Sequence, residues 1–338
     1  MKKSFSKICL FLLIFTSFFL LFSVNSSKIE AKNDHSVILG GQTIGLKLDT
    51  GVYVVGKYQV KTDNNDINYP WKNSDIEEGD KIISFNNKKI STNDELLKEL
   101  RLTNKDIVDI TLLRDNKQIK TKVEVVKTKE SNKSIGLYIK DRIIGIGTMT
   151  YIDPETNSFA ALGHGIYDNN VIIGTQKGQI TASSIEGIRK GEKGVAGEKQ
   201  ASLSKVVLGT IKSNKITGIY GKVTSKELLK GTRVEIANQE EVHKGPAKIF
   251  TVIEGNIVNS YNINIIEVVK QNKTNIKGIK FKVTDSYLID KTGGIIQGMS
   301  GSPIVQENKL VGAVSHVAID DPTIGYGVHI EWMKSDIS

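Results

Sequence analysis

From Ile135 to the C-terminus the chain is a series of short apolar, β-branched runs cut by glycines and polar turns. No amphipathic helix longer than two turns is legible there, except near Ser225–Leu229. Such a stretch cannot build a helical bundle or an alternation of strand and helix, so the expected fold is mainly β, a barrel or sandwich. With 338 residues the chain has room for two domains, and 39% hydrophobic residues supply material for both cores. The net charge of +9 is spread over single Lys and Arg positions with Asn, Asp and Glu between them. It reads as a solvated surface with some attraction to an anionic membrane. No basic arm for nucleic acid is present.

The first 31 residues differ. Lys2, Lys3 and Lys7 precede an apolar run from Ile8 to Val24. A positive start followed by an apolar core is the pattern of an export signal. Val24-Asn25-Ser26 offers a cleavage site, and an uncleaved anchor with the rest of the chain outside is equally consistent. Cys9, the only cysteine, lies inside this segment. That removes a cysteine nucleophile and a cysteine-based zinc site, and no paired histidines replace them. Neither metal nor organic cofactor is expected.

Between residues 36 and 128 the pattern is a small α+β unit. Val52–Val55 and Ile82–Phe85 read as strands, and Asn86-Asn87 as a tight turn. Thr92 with Glu95 fits a capping box, and Leu96, Leu97 and Leu100 give the following helix an apolar face. Ile107–Leu113 and Ile119–Val126 alternate apolar with polar around Asp115-Asn116, as a hairpin does. These pieces resemble a PDZ domain, with Glu78-Gly79-Asp80-Lys81-Ile82 the most specific stretch. The resemblance implies that Ile44, Gly45, Leu46, Lys47 and Leu48 form a loop holding a peptide's terminal carboxylate. The peptide, a C-terminus or an internal tail, would add as a strand beside the Glu95–Leu100 helix. Residues 129–135 are polar, Lys-rich and read as a linker to a domain over 136–338.

In that second domain, Gly298-Met299-Ser300-Gly301-Ser302-Pro303 precedes two apolar runs joined at Glu307-Asn308. A nucleophilic serine needs a tight turn with backbone N–H groups aimed where an oxyanion forms, and glycines on either side permit it. The turn resembles that of trypsin-like proteases, so a double β-barrel is expected, with the N–H groups of Gly298 and Ser300 as the oxyanion hole. An α/β-hydrolase elbow would need a glycine at position 302 and a helix after it. His164 stands between Gly163 and Gly165 just after an apolar run, an open corner suited to a general base. Asp168, Asp285 and Asp290 are the candidates to hold the imidazole.

Taken together, Gly145–Thr150, Ala161-Leu162-Gly163-His164-Gly165, Gly197-Glu198-Lys199, Thr292–Pro303 and the run from Val311 resemble the stage IV sporulation protein B peptidases. That resemblance implies His164 as base, Ser300 as nucleophile and Asp285 as orienting acid. It also implies export into the space between forespore and mother cell. There such a signalling protease would cut a membrane-associated protein regulator, and itself, to trigger activation of a late sigma factor. The competing reading is a secreted PDZ-containing binding or scaffold protein whose peptidase-like half is inactive.

Overall fold

The computed structural model describes residues 36–62, 64–114, 117–130, 132–168, 171–172 and 177–337. The expected export segment, residues 1–31, lies outside them, as do the turn residues Asp115 and Asn116.

Two closed barrels emerge from the strand pairing. In the first, strand Leu137–Asp153 pairs with Thr43–Lys57, which pairs with Lys177–Arg189. Glu198–Lys215, Gly218–Val223 and Ser158–Ala161 continue the circle back to Leu137–Asp153. Ile44, Leu48, Met149, Phe159, Ile180 and Ile219 fill it. In the second, Lys309–Ala318 pairs with Asp321–His329, then Ile279–Val283, Asn259–Val268, Gly245–Thr251 and Pro303–Gln306 close the ring. Its centre holds Ile249, Ile263, Phe281, Ile304 and Val314. Closing a sheet on itself removes its edges, which is how so many short strands become one stable body. Tyr151, Tyr220, Leu310, Ala313 and Met333 pack between the barrels. The fold is therefore mainly β, with a trypsin-like double barrel.

The PDZ-like unit is present, but its boundaries differ from the expected 36–128. Ser36–Leu39 pairs with the first barrel's Ile152 and Tyr151. Residues 43–49 of the long strand Thr43–Lys57 pair on both sides with barrel strands. Only its later half, from Val52, enters the PDZ-like core with Ile82, Phe85, Leu96, Leu100, Ile110 and Val123. The strand Leu137–Asp153 returns the same way: Leu137–Lys140 pairs in the small unit, and Arg142–Thr148 in the barrel. Two antiparallel strands thus run unbroken out of the barrel and back, and the PDZ-like unit is an insertion at their tip. The expected linker 129–135 is also corrected. Val126-Lys127 pairs with Lys133-Ser134, and Ile135 is buried in the small core.

Local expectations hold inside this unit. Helix Asn93–Leu102 starts with a complete capping box between Thr92 and Glu95, and buries Leu96 and Leu100. Strands Ile107–Arg114 and Lys117–Glu124 form the hairpin. Asn86 and Asn87 both take positive φ, which asparagine tolerates. The Gly79-Asp80 pair has a physical use. Gly79 has φ +93, and the buried Asp80 carboxylate takes the Arg114 guanidinium and the Glu77 N–H. Burial alone would raise the Asp80 pKa, but these hydrogen bonds hold it below the ordinary value.

Candidate active site

The serine turn lies where the two barrels meet. Met299 N donates to Ile296 O and Ser302 N to Met299 O, winding the chain tightly around Ser300. Gly298 and Gly301 have φ of +91 and +92. A Cβ on Gly301 would sit 2.1 Å from Thr148 O and 2.4 Å from Leu162 N, so only glycine fits. Among the described residues the N–H groups of Gly298 and Ser300 donate to nothing. Two neighbouring, unsatisfied N–H groups on one turn are what a developing oxyanion requires.

Strand Leu137–Asp153 grips this turn from the first barrel. Thr148 N donates to Ser300 O (2.9 Å), Thr148 Oγ1 to Gly298 O and Thr150 Oγ1 to Gly301 O (both 2.8 Å). Both threonines are fully buried. With every carbonyl of the turn held, the Gly298 and Ser300 N–H groups are left without an acceptor among the described residues. Sequence reasoning missed these two residues. The signal was the alternation Thr148-Met149-Thr150, which puts two hydroxyls on one face of a strand.

The histidine loop touches the same turn. Leu162 N donates to Thr148 O, and a Cβ on Gly163 would meet Val314 O at 2.7 Å. Val314 O in turn accepts from Gly301 N at 2.7 Å. The structure thus brings the loops of His164 and Ser300 together. The half-buried His164 ring makes one hydrogen bond, Nδ1 to Gly165 O at 2.8 Å. A carbonyl can only accept, so Nδ1 carries the proton and Nε2 is the free, basic nitrogen. Burial pushes the imidazole pKa below 6.5, only partly offset by the Gly165 bond, so His164 is neutral at neutral pH. Gly165 N is anchored on Ile216 O, and Ile166 on the Asn214 side chain. No hydrogen bond joins His164 to Ser300 in this structure, among the described residues, and catalytic hydrogen bonds commonly form only with substrate present.

Asp285 is not brought to the imidazole. It caps helix Ser286–Thr292, Oδ1 accepting from Leu288 N (3.0 Å) and Oδ2 from Asn262 N (3.2 Å). Lys280 pairs with Tyr326, and Tyr326 with His316, whose ring lies 5.6 Å from that of His164. Asp285 lies beyond the end of strand Ile279–Val283, and among the described residues no hydrogen bond joins its carboxylate to His164. The imidazole is oriented here by a backbone carbonyl instead. Asp290 is an exposed residue of the same helix. His316 packs on His164 with its Nδ1 buried and unpartnered, and burial, followed by the charges of His164 and Lys277, lowers its pKa to about 4. Among the described residues no cluster of side chains could hold a metal.

The expected peptide loop of the small unit, Ile44–Leu48, lies elsewhere in the fold. Ile44, Leu46 and Leu48 are 0–3% exposed in the first barrel's core, with both strand edges paired. Peeling them away would forfeit roughly 2 kcal/mol of burial per side chain, so Ile44–Leu48 is no ligand loop. A cavity of about 630 Å³ lies elsewhere, between Leu96, Leu97 and Leu100 of the helix and Leu137–Ile139. Leu137–Lys140 is paired on one edge only, among the described residues. The turn before it has Gly136 at φ +67, its N–H donating to Ser134 Oγ. Ile135-Gly136-Leu137 and Ile44-Gly45-Leu46 share one pattern, apolar–Gly–apolar, and only the pairing tells them apart.

Acyl transfer from a peptide to an activated serine is the chemistry this arrangement suits. In such a transfer a serine Oγ attacks, an imidazole takes the proton and later returns it to the leaving amine, and backbone N–H groups hold the oxyanion; Ser300, His164 and the Gly298 and Ser300 N–H groups are the groups this site offers for those parts. The molecule is a serine endopeptidase of the double-barrel class. The chain belongs to the SpoIVB peptidase S55 family, whose profile matches residues 131–334, and a PDZ-domain profile matches residues 32–125. Similar solved structures include the PDZ domain of an SdrC-like protein from Listeria monocytogenes, at 17% identity and TM-score 0.21, covering 27% of this chain and 87% of that one. The Rv3671c protease of M. tuberculosis in its active form is similar at 13% identity and TM-score 0.33, covering 57% and 72%. Its inactive form gives 15% identity and TM-score 0.34, covering 56% and 81%. No curated protein matches the chain.

Proposed function

We propose that this serine endopeptidase is an exported signalling protease of endospore formation. It acts in the space between forespore and mother cell, tethered there or delivered by its N-terminal segment. Its substrate is a membrane-associated protein regulator whose cleavage triggers late sigma-factor activation, and it also processes itself. The groove between helix Asn93–Leu102 and Leu137–Ile139 takes a peptide tail as an added strand. Family membership and the export-like pattern of residues 1–31 support this reading. The observation that carries the catalytic part is the serine turn, with its carbonyls bound and its two N–H groups free.

Mass spectrometry of the full chain, as wild type and as Ser300→Ala, tests the activity. Fragments in the wild type alone are expected, and their ends give the cleavage sequence. Intact masses in both, with no labelling of Ser300 by a serine-directed probe, would favour the rival, a PDZ-containing binding protein with an inactive peptidase fold. The pathway is tested in the spore-forming host. A strain whose only copy carries Ser300→Ala is expected to stall late in sporulation, and normal spores from it would remove the signalling role.

A further inference from the structure

One buried charge has no part in the mechanism above. Lys199, in strand Glu198–Lys215, is 4% exposed. Its Nζ donates to Thr251 Oγ1 at 2.9 Å and Thr43 Oγ1 at 3.3 Å. No carboxylate accompanies it among the described residues. An ammonium taken out of water with only hydroxyl partners is destabilising, and a methionine would fill the space without that cost. Its position beneath the serine turn is the feature that gives the charge a use.

Three contacts fix that position. Lys199 N donates to Gln297 O at 3.0 Å, and Gln297 N to Gly197 O at 2.9 Å, so the residue before Gly298 is clamped to this strand. The lysine stem runs under Gly298 itself. A Cβ there would meet Lys199 Cδ at 3.0 Å and Lys199 Cβ at 3.2 Å. Nζ is two bonds beyond the carbon that Gly298 touches, and the Gly298 N–H is half of the oxyanion hole.

We propose that Lys199 is a positioning residue for the oxyanion, its buried ammonium supplying positive charge beneath Gly298 as negative charge develops on the substrate oxygen. In a site shielded from water such a charge acts strongly and needs no reorganisation during the reaction. The inference rests on the peptidase reading of Ser300. It adds a pH dependence. Burial alone pulls the Lys199 pKa down to about 7. Among the described residues, the groups facing its side chain are Thr43, Thr251, the serine turn and the apolar Ile188 of the paired strand, and none of these is charged. The charged form is present below about pH 7 and is lost as pH rises through it. Neutral His164 is needed at the acid end and charged Lys199 at the alkaline end, so acylation peaks between the two ionisations.

The test is the rate at which a fluorophosphonate probe labels Ser300 in the full chain, measured from pH 5 to 9. The probe's phosphoryl oxygen occupies the oxyanion site, so no natural substrate is needed. Wild type is expected to show a maximum with a fall above about pH 7. Lys199→Met is expected to lower the maximum about tenfold and to abolish the alkaline fall, while its melting temperature stays level or rises. Thr251→Val removes one hydroxyl partner and is expected to move the alkaline limb to lower pH. A wild-type rate and profile in Lys199→Met would overturn the proposal. So would a slower rate with the alkaline limb unchanged, since that is mere packing. If Lys199→Met does not fold, an unmoved limb in Thr251→Val overturns it. Wild-type protein that takes no label at all refutes the peptidase reading, an outcome distinct from these.

Discussion

His164 works because of what each of its ring nitrogens meets. Gly165 O fixes the proton on Nδ1, and the neighbouring His316, its pKa lowered to about 4, adds no charge near neutrality. Because burial lowers the His164 pKa, the basic form persists to lower pH than in a free imidazole. The acid limb of Ser300 labelling is therefore expected below pH 6.5, the ordinary value. A limb above 6.5 would mean that a carboxylate faces the ring. At this scale the sequence was informative about the two reacting residues. A histidine between glycines, and a serine with glycines two residues before and one after it, are positions where close approach leaves little choice of residue. Thr148, Thr150 and Lys199 act on the same turn from elsewhere in the chain. For the two threonines the one local signal is their alternation around Met149, and Lys199 carries none.

Among the elements, helix Ser286–Thr292 shows how a plausible acid becomes a structural one. Asp285 follows a strand and starts a helix, and its carboxylate satisfies the Leu288 N–H that the first helical turn leaves open, together with the Asn262 N–H of a neighbouring strand. Asparagine caps about as well as aspartate. Asp285→Asn is thus expected to leave Ser300 labelling within about twofold of wild type, and Asp285→Ala to cost about 1 kcal/mol of stability. A loss approaching 10⁴-fold in Asp285→Asn, roughly what a triad aspartate shows, would instead return the carboxylate to the imidazole. The strand Leu137–Asp153 makes the complementary point. Its sequence reads as one apolar run with glycines, yet its first residues line the cavity beside the helix and Thr148 holds the serine turn.

On the scale of the whole molecule, the order of domains along the chain is not their order in space. Residues 36–48 precede the PDZ-like unit but belong to the barrel that follows it. Asp49 pairs with Arg142 at the base of the insertion, where the two strands cross from barrel to small unit. Excising residues 50–141 and joining Asp49 to Arg142 through Asn-Gly should therefore close a short hairpin on an intact barrel. The expected result is a folded β protein by circular dichroism, still labelled at Ser300 and deprived of its peptide groove. Loss of folding would show that the insertion's own core, not the barrel's, holds those strands.

By itself the sequence determined the mainly β character, the capped helix, the hairpins and the two glycine-flanked turns that carry His164 and Ser300. Each depends on local geometry: period-two burial, a capping pair, or a turn that only glycine can make. The tertiary structure alone decided which apolar–Gly–apolar segment is buried in a barrel and which borders the cavity, where the PDZ-like unit begins, and what Asp285 bonds to. Those depend on which strand edges are left unpaired and which backbone N–H groups need an acceptor, and both are settled only when distant strands close the barrels.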